Sequence, residues 1–262
     1  MSDQANSNSR VRLVALLIDA DNISHTKVSD IIAELSKYGT TNIRRAYGDW
    51  SSPQLQGWRD RLQEFAIRPV QQFSYTSGKN ATDIALVIDA MELMYTQKLA
   101  AFCIVSSDGD FTPLAMQLKA NGHDVYGFGE RKTPPAFVNA CTNFLYLDSI
   151  GSFAVEDLGS VNIGSVATPK TSVDKKLSQD TKLVTVLRGA IEASIREDGW
   201  AAMSAAGSAV KRQAPIDPRN YGVKTFTALY EKVGLFDVFK AKNGQAYVAD
   251  KKNTERLKQP VT

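Results

Sequence analysis

The segment Leu-Val-Ala-Leu-Leu-Ile-Asp-Ala-Asp-Asn-Ile at residues 13–23 decides the fold. Its first six residues are apolar, a run that is too short to span a membrane but typical of a strand buried on both faces of a parallel sheet. The run ends in Asp19, Asp21 and Asn22. Because open α/β sheets bind their ligands at the carboxyl ends of the strands, these polar side chains mark a candidate site.

Strands and helices alternate along residues 11–150, which predicts a mostly parallel sheet with helices on both faces. Strands are predicted at residues 13–18, 43–50, 68–74, 101–107, 124–128 and 144–147, and helices at 27–38, 53–65, 81–97, 112–120 and 135–140. A strand order of 3-2-1-4-5 would place the first and fourth strands side by side. We then expect Asp19 and Asp108, which follow these two strands, to face each other directly.

The C-terminal part has a different pattern. Residues 151–179 are rich in Ser, Gly, Val, Thr and Lys without a sustained period, which indicates a linker. Helices are predicted at 180–197, 201–211 and 225–233, and a hairpin at 236–240 and 245–249. Three helices and a hairpin are typical of a winged-helix module. The predicted organisation is a disordered segment 1–10, an α/β domain 11–150, a flexible linker 151–179, an α+β winged-helix domain 180–252 and a tail 253–262.

Composition excludes several classes of protein. The 262 residues contain two cysteines, Cys103 and Cys141, which cannot form a disulfide framework or a cysteine-rich zinc site. The sequence shows no signal peptide and no apolar run long enough for a transmembrane helix, so a cytoplasmic location is expected. From residue 181 onward, 14 Lys and Arg stand against 8 Asp and Glu. This excess favours a polyanionic partner, and an ordinary solvated surface is the alternative.

Four acids follow predicted strands or open a helix: Asp19, Asp83, Asp108 and Asp110. In a doubly wound sheet these positions converge on one edge, where carboxylates repel one another unless a cation neutralises them. Hard oxygen ligands favour Mg²⁺ or Mn²⁺, ions that polarise a phosphate and activate a water molecule. Asp83 and Asp110 also have ordinary interpretations, as a helix N-terminal acid and as a turn residue. Asp21 is interpreted as a solvated turn acid.

Three motifs resemble the NYN domain, the LabA-like branch of the PIN-like nucleases. They are Leu-Ile-Asp-Ala-Asp-Asn at residues 17–22, Gly-Lys-Asn-Ala-Thr-Asp at 78–83 and Val-Ser-Ser-Asp-Gly-Asp-Phe at 105–111. The resemblance implies a Rossmann-like sheet and Mg²⁺- or Mn²⁺-dependent RNA cleavage. It maps the metal ligands and catalytic acids onto Asp19, Asp83, Asp108 and Asp110. It maps a polar substrate contact onto Asn22, a small hydroxyl onto Ser106 or Ser107, and a phosphate contact onto Lys79.

Residues 181–252 resemble an OST-HTH (LOTUS) domain. The matching pieces are Gly-Trp-Ala at 199–201, Ile-Asp-Pro-Arg-Asn-Tyr-Gly at 216–222 and Leu-Tyr-Glu-Lys-Val-Gly-Leu-Phe at 229–236. The resemblance implies a winged-helix RNA-binding module. Arg219, Tyr221 and Lys224 combine charge with an aromatic ring, as phosphate contact and base stacking require. The alternative is that Tyr221 and Phe236 belong to the core and that Lys224 is only solvated.

Three functions compete at this stage. The leading one is a metal-dependent ribonuclease, with endonuclease action favoured, joined to an RNA-binding module. The second is a phosphatase of the haloacid-dehalogenase type, in which Asp19 and Asp21 would act as nucleophile and general acid. The third is a regulatory protein that binds RNA without cleaving it. RNA is the expected partner, no membrane is expected, and the sequence leaves open whether the chain forms a homodimer.

Overall fold

The computed structural model describes residues 11–73, 80–150 and 177–261. The chain divides into two compact units, Met1–Ile150 and Gly151–Thr262. The predicted disordered segment 1–10, most of the predicted linker and Lys79 lie outside the described residues. Within the described ranges, no helix is long and apolar enough to cross a membrane.

The first unit contains a six-stranded sheet in the order β3-β2-β1-β4-β5-β6, which confirms the predicted order 3-2-1-4-5 and places the sixth predicted strand at the edge. The strands are β1 (Leu13–Asp19), β2 (Thr40–Gly48), β3 (Arg68–Gln71), β4 (Ala101–Val105), β5 (Asp124–Gly129) and β6 (Asn143–Tyr146). Each neighbouring pair is parallel. Strand β1 lies between β2 and β4, and this central place explains why its apolar run is continuous.

Helices cover both faces of this sheet, as predicted. They are α1 (Val28–Leu35), α2 (Trp58–Glu64), α3 (Ala81–Thr96), α4 (Thr112–Ala120) and α5 (Pro135–Ala140). Alternate residues of β1 point to opposite faces. Leu16 and Ile18 pack in the same cluster as α1 and α2, whereas Ala15 and Leu17 pack in the cluster that contains α3, α4 and α5.

The prediction that Asp19 and Asp108 face each other directly is wrong, because the register of β1 and β4 brings a different residue beside Asp19. Ile18 pairs with Val105, where β4 ends, so Ser106 is the residue that lies beside Asp19. The predicted strand 101–107 is two residues longer than β4. Ser106 and Ser107 lie beyond the end of the strand, and their hydroxyls accept hydrogen bonds from the backbone N–H groups of Asp108 and Glu130. The predicted helix 53–65 is also divided, since a 3-10 turn at Pro53–Leu55 precedes α2.

The second unit has the predicted winged-helix pattern with one further strand. Its elements are α6 (Thr181–Glu192), β7 (Ala201–Ala202), α7 (Met203–Gln213), α8 (Phe226–Val233), β8 (Phe236–Lys240) and β9 (Ala246–Asp250). The three strands form an antiparallel sheet in the order β7-β9-β8. The prediction of a helix starting at residue 201 is wrong, because Ala201 and Ala202 pair with β9 before the helix begins.

The segment after β9, predicted as a tail, is bonded to the second unit. The backbone N–H of Leu257 donates to the carbonyl oxygen of Asp198 at 3.0 Å, and Trp200 Nε1 donates to the carbonyl of Leu257 at 2.9 Å. The N–H of Val261 donates to the Asp198 carboxylate at 2.8 Å. These hydrogen bonds hold the segment against the turn that precedes β7.

Candidate active site

Asp19 lies at the carboxyl end of β1 and is fully buried. Its carboxylate accepts hydrogen bonds from Asn22 Nδ2, at 3.2 Å to Oδ1 and 2.9 Å to Oδ2, and from Ser106 Oγ at 2.7 Å. Burial raises the pKa of Asp19, and the hydrogen bonds from Ser106 and Asn22 oppose that shift. The structure therefore brings Asn22 and Ser106 together around Asp19, whereas the sequence had assigned them to substrate contacts.

Ser106 links the two loops that carry acids. Its hydroxyl donates to Asp19 and accepts from the backbone N–H of Asp108 at 3.1 Å. The Asp108 carboxylate in turn accepts from the backbone N–H of Asp110 at 2.8 Å. The Ser107 hydroxyl instead accepts from the N–H of Glu130 at 2.8 Å and holds the end of β5. Of the two serines that the sequence left open, Ser106 is the one bonded to the acids.

The first turn of α3 is fixed by side chains from both acid-bearing loops. Asn80 Nδ2 donates to Asp110 Oδ2 at 3.2 Å, and Thr82 Oγ1 donates to Asp21 Oδ2 at 2.8 Å. Asp83 follows Thr82 directly and is half-buried. The turn is therefore bonded on two sides, and this arrangement presents Asp83 to the other acids.

The pKa of Asp83 reflects the acids that surround it. The pKa of Asp83 is raised to about 6, first by burial and then by repulsion from the carboxylates of Asp19, Asp108, Asp110 and Asp21. The carboxylates of Asp19, Asp108 and Asp110, which the sequence singled out, thus act on Asp83, and that of a fifth acid, Asp21, joins them.

The fifth acid, Asp21, was interpreted from the sequence as a solvated turn residue. It accepts the hydrogen bond from Thr82, and its Oδ1 accepts from the backbone N–H of Asp49 at 3.3 Å. Asp89, also on α3, has a different role: its carboxylate accepts hydrogen bonds from Arg45 and Tyr47 of β2. Asp89 therefore connects α3 to β2 and lies outside the proposed site.

The donor set fits a hard divalent cation by its chemistry. It consists of carboxylate oxygens whose mutual repulsion a cation would relieve. Across residues 11–73, 80–150 and 177–261, however, no three His, Cys, Asp or Glu side chains are gathered closely enough to hold a metal ion as they stand. The acids therefore form an open arrangement, in which Asp108 is half-buried and Asp110 is exposed.

The three contacts predicted in the second unit have different surroundings. Arg219 Nε and Nη2 both donate to the carboxylate of Asp217 at 2.9 Å, and the Arg219 side chain is only 18% exposed. Tyr221 packs against the core of the unit, as the alternative interpretation predicted, and its carbonyl accepts from Lys232 Nζ. Lys224 is exposed. The structure therefore favours Lys224 over Arg219 as a surface cation.

Comparisons with known proteins agree with this geometry. The sequence model of the NYN domain matches residues 13–148, and that of the OST-HTH/LOTUS domain matches residues 176–248. The uncharacterized protein MJ0482 of Methanocaldococcus jannaschii is 30% identical over 143 residues, which are 53% of this chain and 55% of that protein. The chain thus spans about half the length of this relative.

A crystal structure of VPA0982 from Vibrio parahaemolyticus, a protein of unknown function, is 18% identical, with a TM-score of 0.45 over 53% of this chain and 94% of that one. The family match covers more than half of the present chain and contains all five acids. The chain therefore belongs to the NYN domain family, within a nuclease superfamily, and carries a domain of the RNA-binding OST-HTH/LOTUS type after it.

Proposed function

We propose that this protein is a metal-dependent ribonuclease whose second unit binds the RNA. The observation that carries the proposal is the convergence of Asp19, Asp83, Asp108 and Asp110 at the carboxyl ends of β1 and β4, in a domain of a nuclease superfamily. In an ion pair that only stabilises a fold, each acid has a basic partner. Here several carboxylates instead share one edge of the sheet and repel the carboxylate of Asp83. Such an arrangement is typical of a functional site.

The four acids would hold Mg²⁺ or Mn²⁺, and a bound ion would supply the polarisation of a phosphodiester and the activation of a water molecule. The chain's own polar residues orient this set. Asn22 and Ser106 hold the Asp19 carboxylate, and Asn80 holds that of Asp110. Asn22 and Asp110 are both exposed, which supports access of an internal phosphodiester and so the endonuclease action that we propose.

Binding of RNA needs a cationic surface that the acid cluster does not provide. The second unit supplies it through the excess of Lys and Arg over Asp and Glu from residue 181 onward. A tether between the units raises the local concentration of RNA at the acids. Lys79, which the family resemblance assigns to a phosphate contact, stays a prediction, as does the cytoplasmic location.

A second candidate is a regulatory protein that binds RNA without cleaving it. The observation that favours it is the open arrangement of the acids, since within the described ranges no ready-made metal cage is present. The phosphatase alternative is set aside. The sequence model that matches residues 13–148 is that of the NYN domain, which is a nuclease-type and not a phosphatase domain.

The test is cleavage of matched linear and circular RNA by the purified full chain, with Mn²⁺, with Mg²⁺ or with EDTA. The proposal predicts cleavage of both RNAs with either metal and none with EDTA, since a circular substrate has no end for an exonuclease. Binding of RNA without cleavage under all conditions would establish the second candidate. Cleavage in EDTA would contradict the role of a metal.

A further inference from the structure

Helix α3 exposes an apolar stripe on the side that faces away from the sheet. Ile84, Ile88 and Tyr95 are 58%, 62% and 73% exposed, and Met91 lies between them, partly buried. At 100° per residue these four side chains fall within about 60° of the helix circumference and extend over roughly 16 Å of its length. They form one continuous stripe, which we call the α3 stripe.

The opposite side of α3 is also apolar. Leu86, Ala90 and Leu93 are buried against the sheet. A surface helix of a monomeric domain is typically polar on its outer side, whereas a helix that is apolar all round is usually buried on all sides. An exposed stripe of this kind therefore indicates a surface that another protein surface covers.

The charges on helix α3 itself disfavour a polyanionic occupant. Helix α3 contains no Lys or Arg between residues 81 and 96, and its charged residues are Asp83, Asp89 and Glu92. RNA and anionic membranes both need cations on the surface that binds them. The occupant must instead be apolar where it meets the stripe, with positive charge where it meets the acidic first turn of α3.

A second copy of the same helix meets these conditions. We propose that two copies of this chain dimerise through their α3 stripes, packed antiparallel about a two-fold axis. The spacing is self-complementary, because Ile84 then faces Tyr95 of the second copy while Ile88 faces Met91 of the second copy. A closed two-fold interface requires this reciprocity.

The ends of the helix are complementary in charge. Lys98 is exposed just after the C-terminal end of α3, and antiparallel packing brings it to the first turn of α3 in the second copy, which carries Asp83. The two helix dipoles are also opposed in this arrangement. A stable interface buries roughly 800 Å² on each partner, and four side chains of one helix supply less than that, so we expect a weak dimer whose population depends on protein concentration.

The test is sedimentation of the full chain over a range of concentrations. The wild-type chain is expected to shift from monomer to dimer, and Ile88→Glu is expected to weaken dimerisation at least tenfold, because it places a carboxylate against Met91 of the second copy. The matched control is Met116→Glu on α4, which changes a methionine that is 61% exposed outside the stripe and should leave the dimer intact.

Mixing two variants tests the antiparallel register. Ile88→Glu and Met91→Lys should each be monomeric alone, but a mixture should form heterodimers, since the new Glu and Lys then face each other. Thermal melts check that each variant is folded. A wild-type chain that is monomeric at every concentration overturns the proposal, as does a dimer that Ile88→Glu leaves unchanged or a mixture that shows no rescue.

Discussion

Ser106 donates a hydrogen bond of 2.7 Å to the Asp19 carboxylate across the paired strands β1 and β4. The same hydroxyl accepts from the backbone N–H of Asp108, so one buried oxygen joins the two strand ends that carry acids. This link fixes the distance between Asp19 and the loop that holds Asp108 and Asp110. The positions of the proposed catalytic acids then depend on a residue that has no charge.

Replacing Ser106 by Ala tests that link. The change leaves the Asp108 N–H without its partner, and such a loss costs roughly 1–3 kcal/mol of stability. We also expect RNA cleavage to fall at least tenfold, since Asp19 and the Asp108 loop are no longer joined. The control is Ser107→Ala, which removes an equivalent hydrogen bond, to the N–H of Glu130. It should lower stability by a similar amount and largely spare cleavage; equal losses of activity in the two variants would show that Ser106 acts only through stability.

The hydrogen bond from Thr82 to Asp21 positions the first turn of α3. Thr82→Val keeps the shape of the side chain but removes the hydroxyl, so we expect cleavage to fall several-fold while the metal requirement remains. Thr96→Val at the other end of α3 is the matched control, because its hydroxyl bonds only the carbonyl of Glu92. If the two variants cleave RNA equally well, the Thr82 contact does not position Asp83.

Asp83 should make the protein less stable as pH rises. Its pKa is about 6 in the folded state, against 3.8 for a free side chain, so the unfolded chain loses this proton first. The contribution of this group to the free energy of unfolding is therefore largest below about pH 4 and decreases as the pH rises to about 6. In EDTA, Asp83→Asn should be more stable than wild type by ~1 kcal/mol at neutral pH, after allowance for solvent screening, and equal to it near pH 4.

Thermal denaturation of both proteins at the two pH values measures this difference. The expected result is a higher Tm for Asp83→Asn at neutral pH only. A variant that is less stable than wild type at neutral pH would mean that the carboxylate is stabilised in the fold rather than repelled by its neighbours.

In the second unit, Arg219 and Lys224 should behave differently. Arg219 forms a two-point ion pair with Asp217, so Arg219→Ala should mainly lower the thermal stability of this unit. Lys224 is exposed, so Lys224→Ala should weaken RNA binding evenly across RNA sequences. It should also reduce, by about one, the slope of the logarithm of the RNA association constant against the logarithm of the salt concentration. Titrations of RNA at several salt concentrations measure both effects. An unchanged slope for Lys224→Ala would exclude a phosphate contact.

The order of the strands and the position of the acids at one edge of the sheet could be predicted because both depend on strong local signals. The apolar run before Asp19, and the second one before Ser106, identify two buried strands, and the handedness of crossover connections places them side by side. The exact partner of Asp19 could not be predicted, since a strand end that moves by one or two residues brings a different side chain to that position.

Other contacts differ in how far the sequence could have revealed them. Thr82 and Asp21 are 61 positions apart, and no spacing pattern joins them, so the sequence could not reveal this hydrogen bond, although Asp21 is exposed in a turn as predicted. The pair of Asp217 and Arg219 is separated by a single residue next to Pro218, and this local signal could have indicated that Arg219 is engaged.

The most direct test of the central proposal compares Asp19→Asn with Asp30→Asn in the RNA cleavage assay with Mn²⁺. Asp30 lies on α1 beside Lys27 and belongs to the same unit, so its variant controls for the loss of one carboxylate. The account predicts that Asp30→Asn cleaves at the wild-type rate, whereas Asp19→Asn stays folded and loses cleavage by a factor of at least one hundred. Cleavage by a folded Asp19→Asn at the wild-type rate would contradict it.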